Sequence, residues 1–154
     1  MNIIETFYNS FKNLDAERMA DCYHDQIEFY DPGFGTLRGD RARNMWRMLC
    51  ESQKGKDFEI SYSDIRVEAD RATAHWEAFY TFSKTNRKVH NKIDAQFLFK
   101  DGKIIKHTDS FDLHNWATQA LGFKGWLLGG TGFFRKKLQQ QTNRLLDRYE
   151  ASKS

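Results

Sequence analysis

The sequence has one proline, two cysteines, and no apolar run long enough to cross a bilayer; its best candidate, 125–134, falls well short. Scarce proline, with a hydrophobic content of 40%, excludes a disordered chain. Cys22 and Cys50 stand alone and show no metal-ligand spacing, which excludes a disulfide framework and a cysteine-held metal. No signal peptide opens the chain, so both are expected as free thiols in a reducing cytoplasm. A dominant charge is missing too. The 24 Lys and Arg against 21 Asp and Glu leave +3, too little to imply a nucleic-acid partner. No repeat or low-complexity segment appears.

Aromatic residues are plentiful, with 13 Phe and 4 Trp in a chain of single-domain length. They suit an aromatic-walled cavity as well as a plain core. The charge is also uneven: 115–154 holds seven Lys/Arg and two Asp/Glu, a surplus of five, so the rest of the chain is near −2.

Ile3, Phe7, Phe11 and Leu14 form one helical stripe. Asp15 reads as the N-cap of a second short helix over 16–23. Residues 27–30 predict a short strand and 40–51 a third helix. From Phe58 the period changes to two. Four strands follow, over 58–68, 72–83, 88–99 and 103–113, separated by short turns as an antiparallel meander. Helices first and strands afterwards predict an α+β fold with the helices on one sheet face. A helical piece over 115–121, a glycine-punctuated run and a last helix over 133–149 complete the chain.

Alternation assigns the side chains. Phe29 carries Asp31 to the inner face, while Ile105 and Phe111 set the inner side of the last strand and bring His107 and Asp109 with them. Trp76, Tyr80, Asn91 and Phe97 face the same way. Asp31, Asn91, His107 and Asp109 therefore converge on an apolar face, the pattern of a pocket. His75, Glu77, His90, Lys92 and Asp94 fall on the opposite face. Asp31 has a local reading as well, because it stands before Pro32 and a run of glycines, where an aspartate commonly starts a turn.

The stretches FYNSF-x3-DAERMADCYHDQIEFYDP and DGKIIKHTDSFDL, in this order, resemble the nuclear-transport-factor-2-like superfamily, in its ketosteroid-isomerase-like and SnoaL-like polyketide-cyclase branches. The resemblance covers about residues 1–122, which it makes one domain, with 123–154 an amphipathic helical extension packed on it. It implies a cone-shaped curved antiparallel sheet wrapped on N-terminal helices around a deep apolar pocket, and a homodimer through the outer sheet face. It implies acid–base work by Asp31, His107 and Asp109 on a small apolar or aromatic ligand. Phe7, Phe11, Phe29, Trp46, Trp76, Tyr80, Asn91, Phe97 and Phe111 are expected to wall the pocket.

The isomerase pattern is incomplete. Phe7 stands where a Tyr is needed, and Ala95 rather than Asp94 takes the second donor position. The Asp–Arg–Asp set of the superfamily's epoxide hydrolases has no inward Arg here. A ligand-binding module without turnover is the alternative reading. GGTG at 129–132 lacks a following Lys-Ser/Thr, and His107 with Asp109 makes half a metal site, so neither cofactor nor metal is expected. Trp126, Leu127, Leu128, Phe133 and Phe134 precede the basic cluster Arg135–Lys137. That arrangement could lie on anionic lipid, but packing over the cone mouth or on a partner subunit is the expectation.

Overall fold

The computed structural model describes residues 2–154. Its elements run α1 (Ile3–Lys12), α2 (Ala16–Asp21), β1 (Tyr23–Asp31), β2 (Gly35–Arg38), α3 (Asp40–Gln53), β3 (Glu59–Glu68), β4 (Arg71–Phe82), β5 (Arg87–Lys100), β6 (Lys103–Ser110), α4 (Leu113–Leu121), α5 (Phe123–Leu128) and α6 (Gly132–Lys153). The α+β fold of the sequence reading holds, with one curved, unclosed sheet of six strands in the order β2-β1-β6-β5-β4-β3.

Strands β3 to β6 are the expected antiparallel meander. In β5 buried and exposed residues alternate from Val89 to Phe97, as a strand with one wet face requires. The helices supply the other half of the core. Ile4, Phe7 and Phe11 from α1 and Ala42, Met45 and Trp46 from α3 join Phe29, Ile93 and Phe97 of the sheet in one buried cluster. Side-chain caps start the helices: Asn2 accepts from the Glu5 amide, Asp15 from Arg18, Asp112 from Asn115 and Thr131 from Phe134. Both cysteines are buried free thiols, and burial pushes their pKa values up, to about 11 for Cys22 and about 12 for Cys50.

Besides α5, which forms in the glycine-punctuated run, the structure differs from the sequence reading at four places. β1 begins at Tyr23, which periodicity had assigned to the second helix, and runs parallel to β6, adding one parallel pair to the sheet. β2, read as loop, folds back on the end of β1 with Asp31 opposite Gly35. The last strand stops at Ser110, because Asp112 caps a helix there. Finally, the β5–β6 register slips between Leu98 and Phe99, so Ile104 and not Ile105 is fully buried. A bulge inserts one residue and reverses the facing behind it. His107 and Asp109 lie beyond it and are still inward.

The C-terminal segment is bound to the sheet's first turn. Gln139, Thr142 and Asn143 of α6 donate to the carbonyls of Pro32, Gly33 and Phe34, at 3.1, 2.8 and 2.8 Å. Arg41 of α3 pairs with Asp147 and Glu150 farther along the same helix.

Candidate functional site

Two strands and two helices meet around His107. In the parallel register Phe29 lies beside His107 and Tyr30 beside Thr108, and Asp31, the next residue, is close enough to feel the charge of Asp109. Across β5, His107 faces Phe97 and Asp109 faces Ala95. The small Ala95 and Ala74, paired with each other, leave room for the Trp76 indole from β4 to reach Asp109.

A chain of hydrogen bonds runs through this core. Trp46 Nε1 donates to the Tyr23 hydroxyl at 2.9 Å, the hydroxyl meets His107 Nδ1 at 2.8 Å, and His107 Nε2 meets Asp109 Oδ1 at 2.9 Å. Trp76 Nε1 adds a longer contact to the same carboxylate oxygen, 3.4 Å. An indole only donates and a carboxylate only accepts. With a neutral imidazole, the protons therefore all point one way: Trp46 to Tyr23, Tyr23 to Nδ1, and Nε2–H to Asp109. Each polar group has its partner, which is what makes burial of the set tolerable.

The surroundings are dry. His107 is 0% exposed and Asp109 2%. The imidazole is boxed by Phe97 (ring centroids 4.4 Å apart), Phe29 (5.1 Å) and Phe7 (5.5 Å), with Trp46 stacked at 6.2 Å. Burial drives the Tyr23 phenol well above its ordinary pKa, and does the same to Tyr8, whose wholly enclosed hydroxyl makes no hydrogen bond among the described residues.

Asp31 sits where this interior opens. Its Oδ1 accepts from the Phe34 amide at 2.7 Å, so it does start the turn, as an aspartate before proline can. Burial of the carboxyl, helped by the charge of Asp109, still raises its pKa to about 7 against the opposing amide bonds. Burial raises the Tyr80 phenol, with a smaller push from the charge of Asp31, and the hydroxyl accepts a 2.7 Å hydrogen bond from Trp116 of α4.

The nine residues expected to wall a pocket divide into two groups. Phe7, Phe11, Phe29, Trp46 and Phe97 are packed ring against ring and serve as core. Trp76 and Asn91 retain slight exposure, and Tyr80 and Phe111 are half-buried. Of two open clefts, one lies away from these residues and the other has Phe111 in its wall. One of about 600 Å³ runs between Asn13–Glu17 and Arg47–Lys54, and one of about 310 Å³ between Phe111–His114 and Gly129–Arg135.

Sequence reasoning brought Asp31, His107 and Asp109 together but missed Tyr23 and the polar role of Trp46. The run His24-Asp25-Gln26 hides the start of β1, and a bond between residues 84 apart has no local signal. Three His, Cys, Asp or Glu side chains able to hold a metal do not gather among the described residues.

Comparison with known proteins agrees with the fold. The profile of the SnoaL-like domain matches residues 4–107. Among curated proteins no sequence matches. An LEH-like epoxide hydrolase of M. tuberculosis is 22% identical over 82% of this chain and 88% of its own, with a TM-score of 0.59. A Xanthomonas campestris protein described as a polyketide cyclase is 17% identical over 76% and 93%, at 0.60. A Catenulispora acidiphila protein with a ketosteroid isomerase-like fold, solved with trimethylamine, is 10% identical over 77% and 91%, at 0.63. At such identities these likenesses speak for the fold alone.

Proposed function

The chain belongs to the SnoaL-like domain family, and from that premise we propose that it binds a small apolar molecule where the sheet opens and moves a proton on it by general acid–base catalysis. One observation carries the reading: Asp31, its pKa raised to about 7 by burial and by the charge of Asp109, ends β1 at the partly exposed edge of an otherwise sealed aromatic core. A carboxyl poised near neutrality can both accept and return a proton at working pH, and apolar walls favour a ligand with little charge.

Roles follow from access. Asp31 is the proton carrier. Asp109 is the second carboxylate, near enough to raise Asp31. His107 is enclosed with both ring nitrogens engaged, so it orients Asp109 and does not itself touch a ligand; Tyr23 and Trp46 hold its tautomer. The clamp of α6 on Pro32, Gly33 and Phe34 fixes the turn that aims Asp31. Pairing of two copies through the outer sheet face belongs to the same proposal, supported by Phe79 and Leu98 exposed there. A binding protein without turnover is the second reading, favoured by the closed relay, which satisfies its own groups.

Planar phenols and steroid-like enones, titrated against wild type and Asp31→Asn, test the first reading. The expected outcome is retained binding with turnover reduced by ~10²-fold or more in the variant. Turnover unchanged in Asp31→Asn would overturn the assignment. Binding with no turnover by wild type across enones and epoxides would favour the second reading.

A further inference from the structure

We infer that α5 and the first turns of α6 form a docking surface for an anionic lipid bilayer. The segment is built inside out. In FKGWLL the residue turned toward the protein is glycine: Gly125 is buried, and a Cβ there would stand 1.8 Å from the Ala117 carbonyl oxygen. A Cβ at Gly129 would likewise collide, 2.6 Å from the Ala117 methyl and 2.4 Å from the Gly125 carbonyl oxygen. His114 Nε2 fixes the same helix through the Trp126 carbonyl at 2.7 Å. The chain between α4 and α6 is therefore held tightly, yet its large apolar side chains face outward.

Their exposure runs from 48% at Leu128, through Trp126 and Leu127, to 68% at Phe133 and 72% at Phe123. Phe123 stacks on Trp126 at 5.9 Å, so the patch is continuous there. On this chain these side chains stay exposed, while Gln139, Thr142 and Asn143, farther along α6, bond the carbonyls of the turn after β1. A contiguous apolar patch left in water by a rigidly held segment marks an interaction site.

Charge selects the partner. Between Asp112 and Asp147 the chain has no acidic residue, while Lys124 and Arg135–Lys137 are all exposed beside the patch. Lys137 Nζ lies 5.6 Å over the Phe133 ring, which puts cation and apolar face within one side chain's reach. Aromatic and aliphatic side chains with adjacent lysine and arginine are the composition that settles at the headgroup boundary of anionic membranes. Among the described residues no helix is long and apolar enough to cross, so the contact lies on the surface.

The test uses the full chain with vesicles of phosphatidylcholine alone and of phosphatidylcholine mixed with phosphatidylglycerol, read by co-sedimentation and tryptophan emission. Binding to the mixed vesicles only, weakened by added salt, with a blue shift lost in Trp126→Ser/Leu127→Ser, is the expected result. Lys136→Glu/Lys137→Glu should lower partitioning by at least about tenfold. Circular dichroism serves as the folding control, since all four positions are exposed. Absence of binding to the mixed vesicles overturns the proposal, as does equal binding by both double variants. So does a vesicle-free oligomer that Trp126→Ser/Leu127→Ser dissolves while lipid binding is absent; the patch would then belong to a second copy of the chain.

Discussion

The sheet carries a histidine–carboxylate relay on each face, and the two behave in opposite ways. Inside, Trp46, Tyr23, His107 and Asp109 are linked at 2.9, 2.8 and 2.9 Å. Outside, His75 joins Asp94 at 2.9 Å and Glu77 at 2.7 Å, and Glu77 joins His90 at 2.6 Å. His75 and Trp76 are consecutive in β4, so a single step along the strand separates the two settings. In water, hydrogen bonds to its two carboxylates raise His75, and bonds from the two histidines lower Glu77. In the dry interior the loss of hydration wins, and Tyr23 and the neighbouring Asp31 go up. Equal distances thus do not mean equal energies; solvent decides.

Removing a member of the inner relay is the hardest way to break the comparison. His107→Ala leaves Asp109 without its principal partner and opens a cavity among four aromatic rings, so denaturant unfolding should show a loss of ~3–5 kcal/mol. A loss within ~1 kcal/mol would mean that the inner relay is no more committed than the outer one.

Asp31 gives the next largest effect, and its sign is opposite to that of an ordinary salt-bridged carboxylate. Its pKa rises from 3.8 to about 7 on folding, so the native state binds the proton more tightly. The stability tied to that proton is fully present below the unfolded value and is lost as pH rises through about 7. At ~1.4 kcal/mol per pH unit the loss reaches up to about 4 kcal/mol. Asp31→Asn keeps an acceptor for the Phe34 amide and should melt higher than wild type above neutrality, with the gap closing toward the acid side. Equal melting across the range would show that the carboxyl is not held in a desolvated place.

The smallest effect belongs outside. The raised pKa of His75 contributes stability that is present below its ordinary value of 6.5 and fades as pH climbs through the folded value. Thermal melts of His75→Ala against wild type should differ slightly, only on the mildly acid side, and the difference should vanish in high salt. A large, salt-insensitive loss would erase the contrast between the faces.

Much of this was legible in the residues. The change of period at Phe58 announces the meander, and alternation puts Asp31, Asn91, His107 and Asp109 on the inner face. Three features had no local signal. Strand β2 is four residues hidden in a glycine-rich loop, visible only once it pairs with the end of β1, Asp31 opposite Gly35. Tyr23 joins His107 through the parallel pairing of β1 with β6, a choice between distant segments. The outward Trp126 and Leu127 defy the usual inward reading, because Gly125 and Gly129 let α5 approach Ala117 so closely that the core has no place for them.

By itself, then, the chain's order determined most of the helices, the four-strand meander and the inward set of its strands, since helical and strand periods are properties of neighbouring residues. Tertiary structure alone decided that Tyr23 and Trp46 complete the His107 relay, that Phe7, Phe11, Phe29, Trp46 and Phe97 are buried in one cluster, and that α6 clamps the Asp31 turn. Those outcomes depend on register, a bulge and close backbone approach between residues far apart in sequence, where hydrophobic pattern carries no distance information.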